Sequence, residues 1–125
     1  MVKSCFKFLT VILLFSSCAL RWVKERIPPP SQRADGKVLF LLDAPSAKSV
    51  FAAGEFNGWE YQPSGQRSIA LKKNKNDVWE AAAIIPSGRY TYKYVLDSYT
   101  WILDPHNPLT VDDGTGNVNS LLIVK

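Results

Sequence analysis

Tyr90-Thr91-Tyr92-Lys93-Tyr94-Val95-Leu96 places an aromatic or large apolar side chain at every second position, with Thr91, Lys93 and Val95 between them. Successive side chains of a β-strand point to opposite faces, so this period of two predicts a strand with one face on a core and the other predominantly polar. Similar runs flank it at residues 37–43, 49–55, 68–72, 77–84, 100–103 and 118–124. Turn chemistry separates them: Ala44-Pro45-Ser46, Lys73-Asn74-Lys75-Asn76, Pro86-Ser87-Gly88 and Asp97-Ser98-Tyr99. Residues 37–43 are apolar nearly throughout, which predicts a strand buried on both faces or crossing between sheets. Asp104-Pro105-His106-Asn107-Pro108 forbids regular pairing, because proline donates no ladder hydrogen bond. Helical periodicity is not sustained anywhere outside the N-terminal segment. The chain therefore reads as all-β, an immunoglobulin-like sandwich of about seven strands.

Length and charge narrow the function classes. The chain has 125 residues, the size of one domain and well short of the roughly 250 residues of a (β/α)₈ glycosidase barrel. Its net charge of +4 comes from 15 basic and 11 acidic residues, but the excess is N-terminal. Residues 37–125 carry nine basic and nine acidic side chains. A neutral domain argues against nucleic acid, which needs clustered Lys and Arg.

The N-terminus reads as a targeting segment over residues 1–17. Lys3 and Lys7 precede a run from Phe8 to Phe15 that is apolar apart from Thr10, followed by small residues. That is a secretory signal layout, too short to span a bilayer core of about 30 Å. Phe15-Ser16-Ser17-Cys18 resembles a bacterial lipobox with Phe in place of the usual Leu, which makes Cys18 the lipidated residue; cleavage after Ala19 is the alternative. Loss of Cys5 with the signal leaves Cys18 without a disulfide partner, which favours lipidation. Residues 18–36 are basic and contain Pro28-Pro29-Pro30, an extended, semi-rigid tether. The expected location is outside the cytoplasm, anchored on the periplasmic or cell-surface side, with a secreted soluble form as the alternative.

Catalysis and metal binding find little support. Glu55, Glu60, Asp104, Asp112 and Asp113 could supply the two carboxylates of a glycosidase, but each lies at a strand end or turn, where such residues serve hydrogen bonds and solvent. His106 is the one histidine, between two prolines, with no nucleophile elbow. The run from Gly114 to Asn119 lacks the third glycine and the following helix of a dinucleotide fingerprint. Asp112-Asp113-Gly114 lacks the ligand spacing of a calcium loop. No enzyme activity, metal or cofactor is expected.

The aromatic residues point elsewhere. A sugar ring offers C–H groups on a face and hydroxyls at its rim, so a sugar site pairs flat aromatic surfaces with a few directed polar groups. Trp59 and Trp101 lie in or beside turns, Lys93 lies on the polar face of its strand, and Asn119 lies near the last strand. Trp79, within a strand of small and apolar residues, reads as core.

The run from Val50 to Trp59, then Pro86 to Tyr94, Trp101-Ile102-Leu103-Asp104-Pro105, and Gly116 to Ser120 resembles carbohydrate-binding module family 48. That family includes the glycogen-binding domain of the AMP-activated protein kinase β subunit and the early-set domain of branching and debranching enzymes. The resemblance covers residues 37–125. It implies α-1,4-glucan binding, with Trp59 and Trp101 as stacking platforms, Lys93 and Asn119 as hydroxyl partners and Asn117 as a flanking contact. Two departures bear on the site. Thr115 replaces a leucine that reaches into the curve of the glucan, which predicts weaker binding. The turn before Trp101 is one residue longer, and a single-residue slip turns side chains across a sheet, which makes Tyr99 the alternative platform. The expected partners are an α-glucan polysaccharide or oligosaccharide, a membrane reached through the lipid, and an amylolytic enzyme or envelope protein. The competing reading is an early-set scaffold or protein-docking module that binds no sugar.

Overall fold

The computed structural model describes residues 27–125. The expected signal segment, Cys18 and the first part of the expected tether lie outside the described residues. Among the described residues nine strands form, all paired antiparallel: β1 Ser31–Gln32, β2 Val38–Leu42, β3 Val50–Gly54, β4 Ile69–Lys73, β5 Trp79–Ala83, β6 Gly88–Leu96, β7 Thr100–Ile102, β8 Thr110–Asp112 and β9 Val118–Val124. Seven of them correspond to the seven expected runs. The other two, β1 and β8, are only two and three residues long. β1 falls inside the stretch expected to be tether and pairs with β2 through Ser31–Leu39 and Gln32–Val38.

The strands follow one path, β1-β2-β5-β4-β3-β6-β9-β8, with β7 beside β6. β4 turns the corner of this path. Its first three residues pair with β3 and its last two, Lys72 and Lys73, pair with β5. The sheet curls on itself there, so that β2 and β6, distant along the path, share one core. Phe40 of β2 lies edge-on to Tyr92 and Tyr94 of β6, with ring centroids 5.9 and 6.4 Å apart. Val38, Leu42, Val50, Ala52, Leu71, Ile85, Leu122 and Val124 belong to the same buried cluster. Trp79 joins it as expected, with its indole N–H donating to the Ala44 carbonyl at 2.9 Å.

β2 differs from expectation. Val38, Phe40 and Leu42 are buried, but Leu39 and Leu41 are only half-buried. β2 is neither covered on both faces nor a crossing strand: its outward neighbours on β5 are Ala82 and Glu80, too small or too polar to cover it.

The proline-rich stretch after β7 is held by a buried polar network. The Tyr92 hydroxyl donates to Asp104 Oδ2 at 2.6 Å and accepts from Asn107 Nδ2 at 3.0 Å. The Asp104 N–H donates to Ser120 Oγ, and Asp104 Oδ1 accepts from the His106 N–H, both at 2.9 Å. Burial, then the Asp104 charge, pushes the Tyr92 and Tyr94 hydroxyls far above the ordinary phenol range, which keeps them protonated as donors. Asp104 thus acts as a structural carboxylate.

Candidate functional site

The outer face of β3, β6, β7 and β9 carries the chemistry. Directly paired residues share a face, so the register sets Phe51 of β3, Val95 of β6 and Trp101 of β7 in one row. Two residues along, Ala53 pairs with Lys93. Ser120 pairs with Tyr92 toward the core, which turns Asn119 outward beside Lys93. Phe51, Ala53 and Val95 form a small second apolar cluster, and Trp59 and Tyr61 lie against it. The face expected to be predominantly polar is therefore apolar at Val95, which the aromatics cover completely.

Trp59 reaches this face because of the loop after β3. Residues Glu55–Asn57 make one 3₁₀ turn, closed by two left-handed residues, Gly58 at φ 65 and Trp59 at φ 63. Glycine takes that conformation freely, whereas a bulky side chain there is strained by about 1–3 kcal/mol. Asn57, buried inside the loop, compensates. Its Oδ1 accepts from the Gly54 N–H at 3.1 Å, and its Nδ2 donates to the carbonyls of Ala52, Glu60 and Arg67 at 3.1–3.2 Å. The Trp59 N–H donates to the Gly54 carbonyl at 2.9 Å. Gly54 must be glycine because a Cβ would stand 2.6 Å from both the Thr91 carbonyl oxygen and Tyr92 Cβ. Glu55 clamps the loop to β6 by accepting from the Thr91 N–H and hydroxyl, both at 2.8 Å, and these bonds hold its carboxyl below the usual range.

The turn before Trp101 sets its side chain on this face. Asp97 and Ser98 are both at positive φ, 55 and 68, as a tight two-residue hairpin turn requires. The Tyr99 N–H closes the turn on the Leu96 carbonyl, while the first ladder pair is Leu96 with Thr100. Tyr99 is therefore held outside the ladder, and Trp101 faces Val95. Asp97 pins the turn to the start of β3 by accepting from the Lys48 N–H at 2.7 Å.

These elements meet in an open groove lined by Trp59, Lys93, Trp101, Asp113, Asn117 and Asn119. The two indole centroids are 6.4 Å apart with planes tilted by 44°. Tyr61 stands edge-on to Trp101 at 5.0 Å. Trp101 is 40% exposed, whereas Trp59 is half-buried against Phe51, Ala53 and Val95. Lys93 Nζ donates to Asn117 Oδ1 at 3.2 Å. The structure thus brings together Trp59, Lys93, Trp101, Asn117 and Asn119. Thr115 and Tyr99 do not line the groove. Thr115 braces the β8–β9 loop, and Tyr99 projects from the hairpin tip, 76% exposed. Sequence reasoning missed Tyr61, two residues beyond Trp59, and Asp113, which it assigned to a turn.

The family model described as the glycogen recognition site of AMP-activated protein kinase matches residues 43–125. The chain belongs to this family. No curated protein sequence matches it. The glycogen-recognition match runs from the residue after β2 to the C-terminal lysine, so it contains every residue of the groove. Of the five carboxylates weighed for catalysis, four are engaged in structure away from the groove: Glu55 with Thr91, Glu60 with the Arg67 N–H, Asp104 with Tyr92, and Asp112 with the Gly114 N–H, while Asp113 lines the groove and bonds Thr115. The groove combines stacking surface, one ammonium, two amides and one carboxylate, which suits a neutral polyhydroxylated ligand.

Proposed function

We propose that the module holds α-1,4-linked glucan, such as glycogen, starch or a maltooligosaccharide, without cutting it. Trp59 and Trp101 stack on the C–H faces of two glucose units, while Lys93, Asn117 and Asn119 bond to their hydroxyls. The observation that carries this reading is the pair of indoles, 6.4 Å apart and tilted by 44°, beside one ammonium and two amides. Successive units of an α-1,4 chain turn relative to one another, and two tilted planes follow that curvature better than one flat shelf. A groove lined by a single carboxylate, Asp113, where a glycosidase needs two, supports a binding rather than a hydrolytic role. The packing of Phe40 on Tyr92 across the curl supports reading the sheet as an early-set, immunoglobulin-like sandwich.

Titration with glycogen or a cyclic maltooligosaccharide, followed by tryptophan fluorescence, tests the proposal. Covering an indole is worth about 1.5–3 kcal/mol, so Trp59→Ala should weaken binding roughly tenfold or more. An unresponsive parent protein, or a Trp59→Ala variant that binds like the parent, overturns it. The same proposal places the module outside the cytoplasm on a lipid at Cys18, with the proline-rich stretch as spacer. Cys18→Ser should then move the protein from the membrane fraction to the soluble one.

A further inference from the structure

Five groove residues answer to the family resemblance; Asp113 does not. It lies in the loop from β8 to β9, and its carboxylate is fixed in position. Oδ1 accepts from the Thr115 N–H at 2.9 Å and from the Thr115 hydroxyl at 2.6 Å. The Asp113 N–H donates to the Asn117 carbonyl at 3.0 Å, and the side chain of that same Asn117 accepts from Lys93. A carboxylate and an ammonium thus line the same groove and are joined through a single residue, Asn117.

We infer that Asp113 determines specificity in the groove, accepting hydrogen bonds from the hydroxyls of neutral glucan chains and repelling chains with anionic substituents. The inference rests on the proposed glucan site. An ionised carboxylate accepts short, charge-assisted O–H···O⁻ bonds, stronger than those to a neutral amide. Hydrogen bonds from Thr115, and further ones from Asn117, orient the carboxylate in the groove. Those same bonds hold the carboxyl below the usual carboxylate range, so it is anionic at neutral pH. Lys93 alone would attract phosphate or carboxylate substituents; the Asp113 carboxylate lining the same groove offsets that attraction, and the groove then favours uncharged diols.

Calorimetric titration of the full chain with glycogen and with carboxymethylated glycogen tests this on the parent, Asp113→Asn and Trp59→Ala. Asparagine keeps an oxygen for Thr115, so the loop is retained while the charge is lost. Asp113→Asn should weaken glycogen binding by about tenfold and leave binding of the carboxymethylated polymer equal or tighter. The preference for neutral glucan therefore falls. An unchanged preference overturns the inference, whether both affinities hold or both drop in proportion, as they would if Asp113 only braced the loop. If the parent binds and Trp59→Ala does not, the glucan reading stands independently of that result. A parent that binds neither polymer overturns both.

Discussion

Trp59 is the side chain on which the groove turns, and it is held in a backbone conformation that a tryptophan does not adopt unaided. The four hydrogen bonds of Asn57 close the loop around it, so the placement of the indole depends on an amide that never touches the groove. Asn57→Ala strands buried partners in both directions and should lower stability by about 1–3 kcal/mol, read from denaturant unfolding. Glucan affinity should fall with it even at temperatures where the variant is fully folded; retained affinity would mean that the loop finds its shape without the amide. At this scale the sequence is readable where a residue type is at odds with its neighbourhood. Trp59 and Trp101 beside turns and Lys93 among tyrosines are such cases. Asp113 is not, because an aspartate before a glycine fits a turn, and the turn is indeed where it sits. Its place in the groove depends on pairing between β8 and β9, and a strand as short as β8 leaves no periodic signature.

The β6–β7 hairpin holds one residue outside its ladder while keeping its functional side chain on the groove face. A one-residue insertion within a paired strand would send Trp101 to the core face. Here Tyr99 falls between the turn and the ladder and projects into solvent. Deleting Tyr99 should therefore leave Leu96 facing Thr100, Val95 facing Trp101, and glucan binding unchanged by fluorescence titration. A lost response would show that the bulge itself positions the indole. Strand periodicity makes seven of the nine elements legible, because each is long enough to alternate or is bounded by prolines and glycines. β1 is hidden for the opposite reason. Ser31 and Gln32 are polar and follow three prolines, and only the Val38–Leu39 edge opposite them supplies a reason to pair.

Across the whole molecule, the family match and the folding unit do not coincide. The matched residues, 43–125, contain all of the groove, yet β2 lies ahead of them and supplies Val38, Phe40 and Leu42, at 1%, 0% and 1% exposure, to the shared core. Phe40 also touches Phe56, in the turn that leads to Trp59, at 5.6 Å, so the core continues beneath the site loop. Each of the three side chains contributes about 1.5–3 kcal/mol by burial, and together they rival the 5–15 kcal/mol net stability usual for a domain. Removing β2 also leaves the inner ends of Tyr92 and Tyr94 open to water and frees the β5 edge to pair with another chain. A fragment of residues 43–125 should accordingly give no cooperative thermal transition by circular dichroism and no fluorescence response to glycogen. A fragment of residues 27–125 should unfold cooperatively and bind. If the shorter piece folds and binds as well as the longer, the curl of β2 over β6 is dispensable, and the groove is a property of β3 to β9 alone.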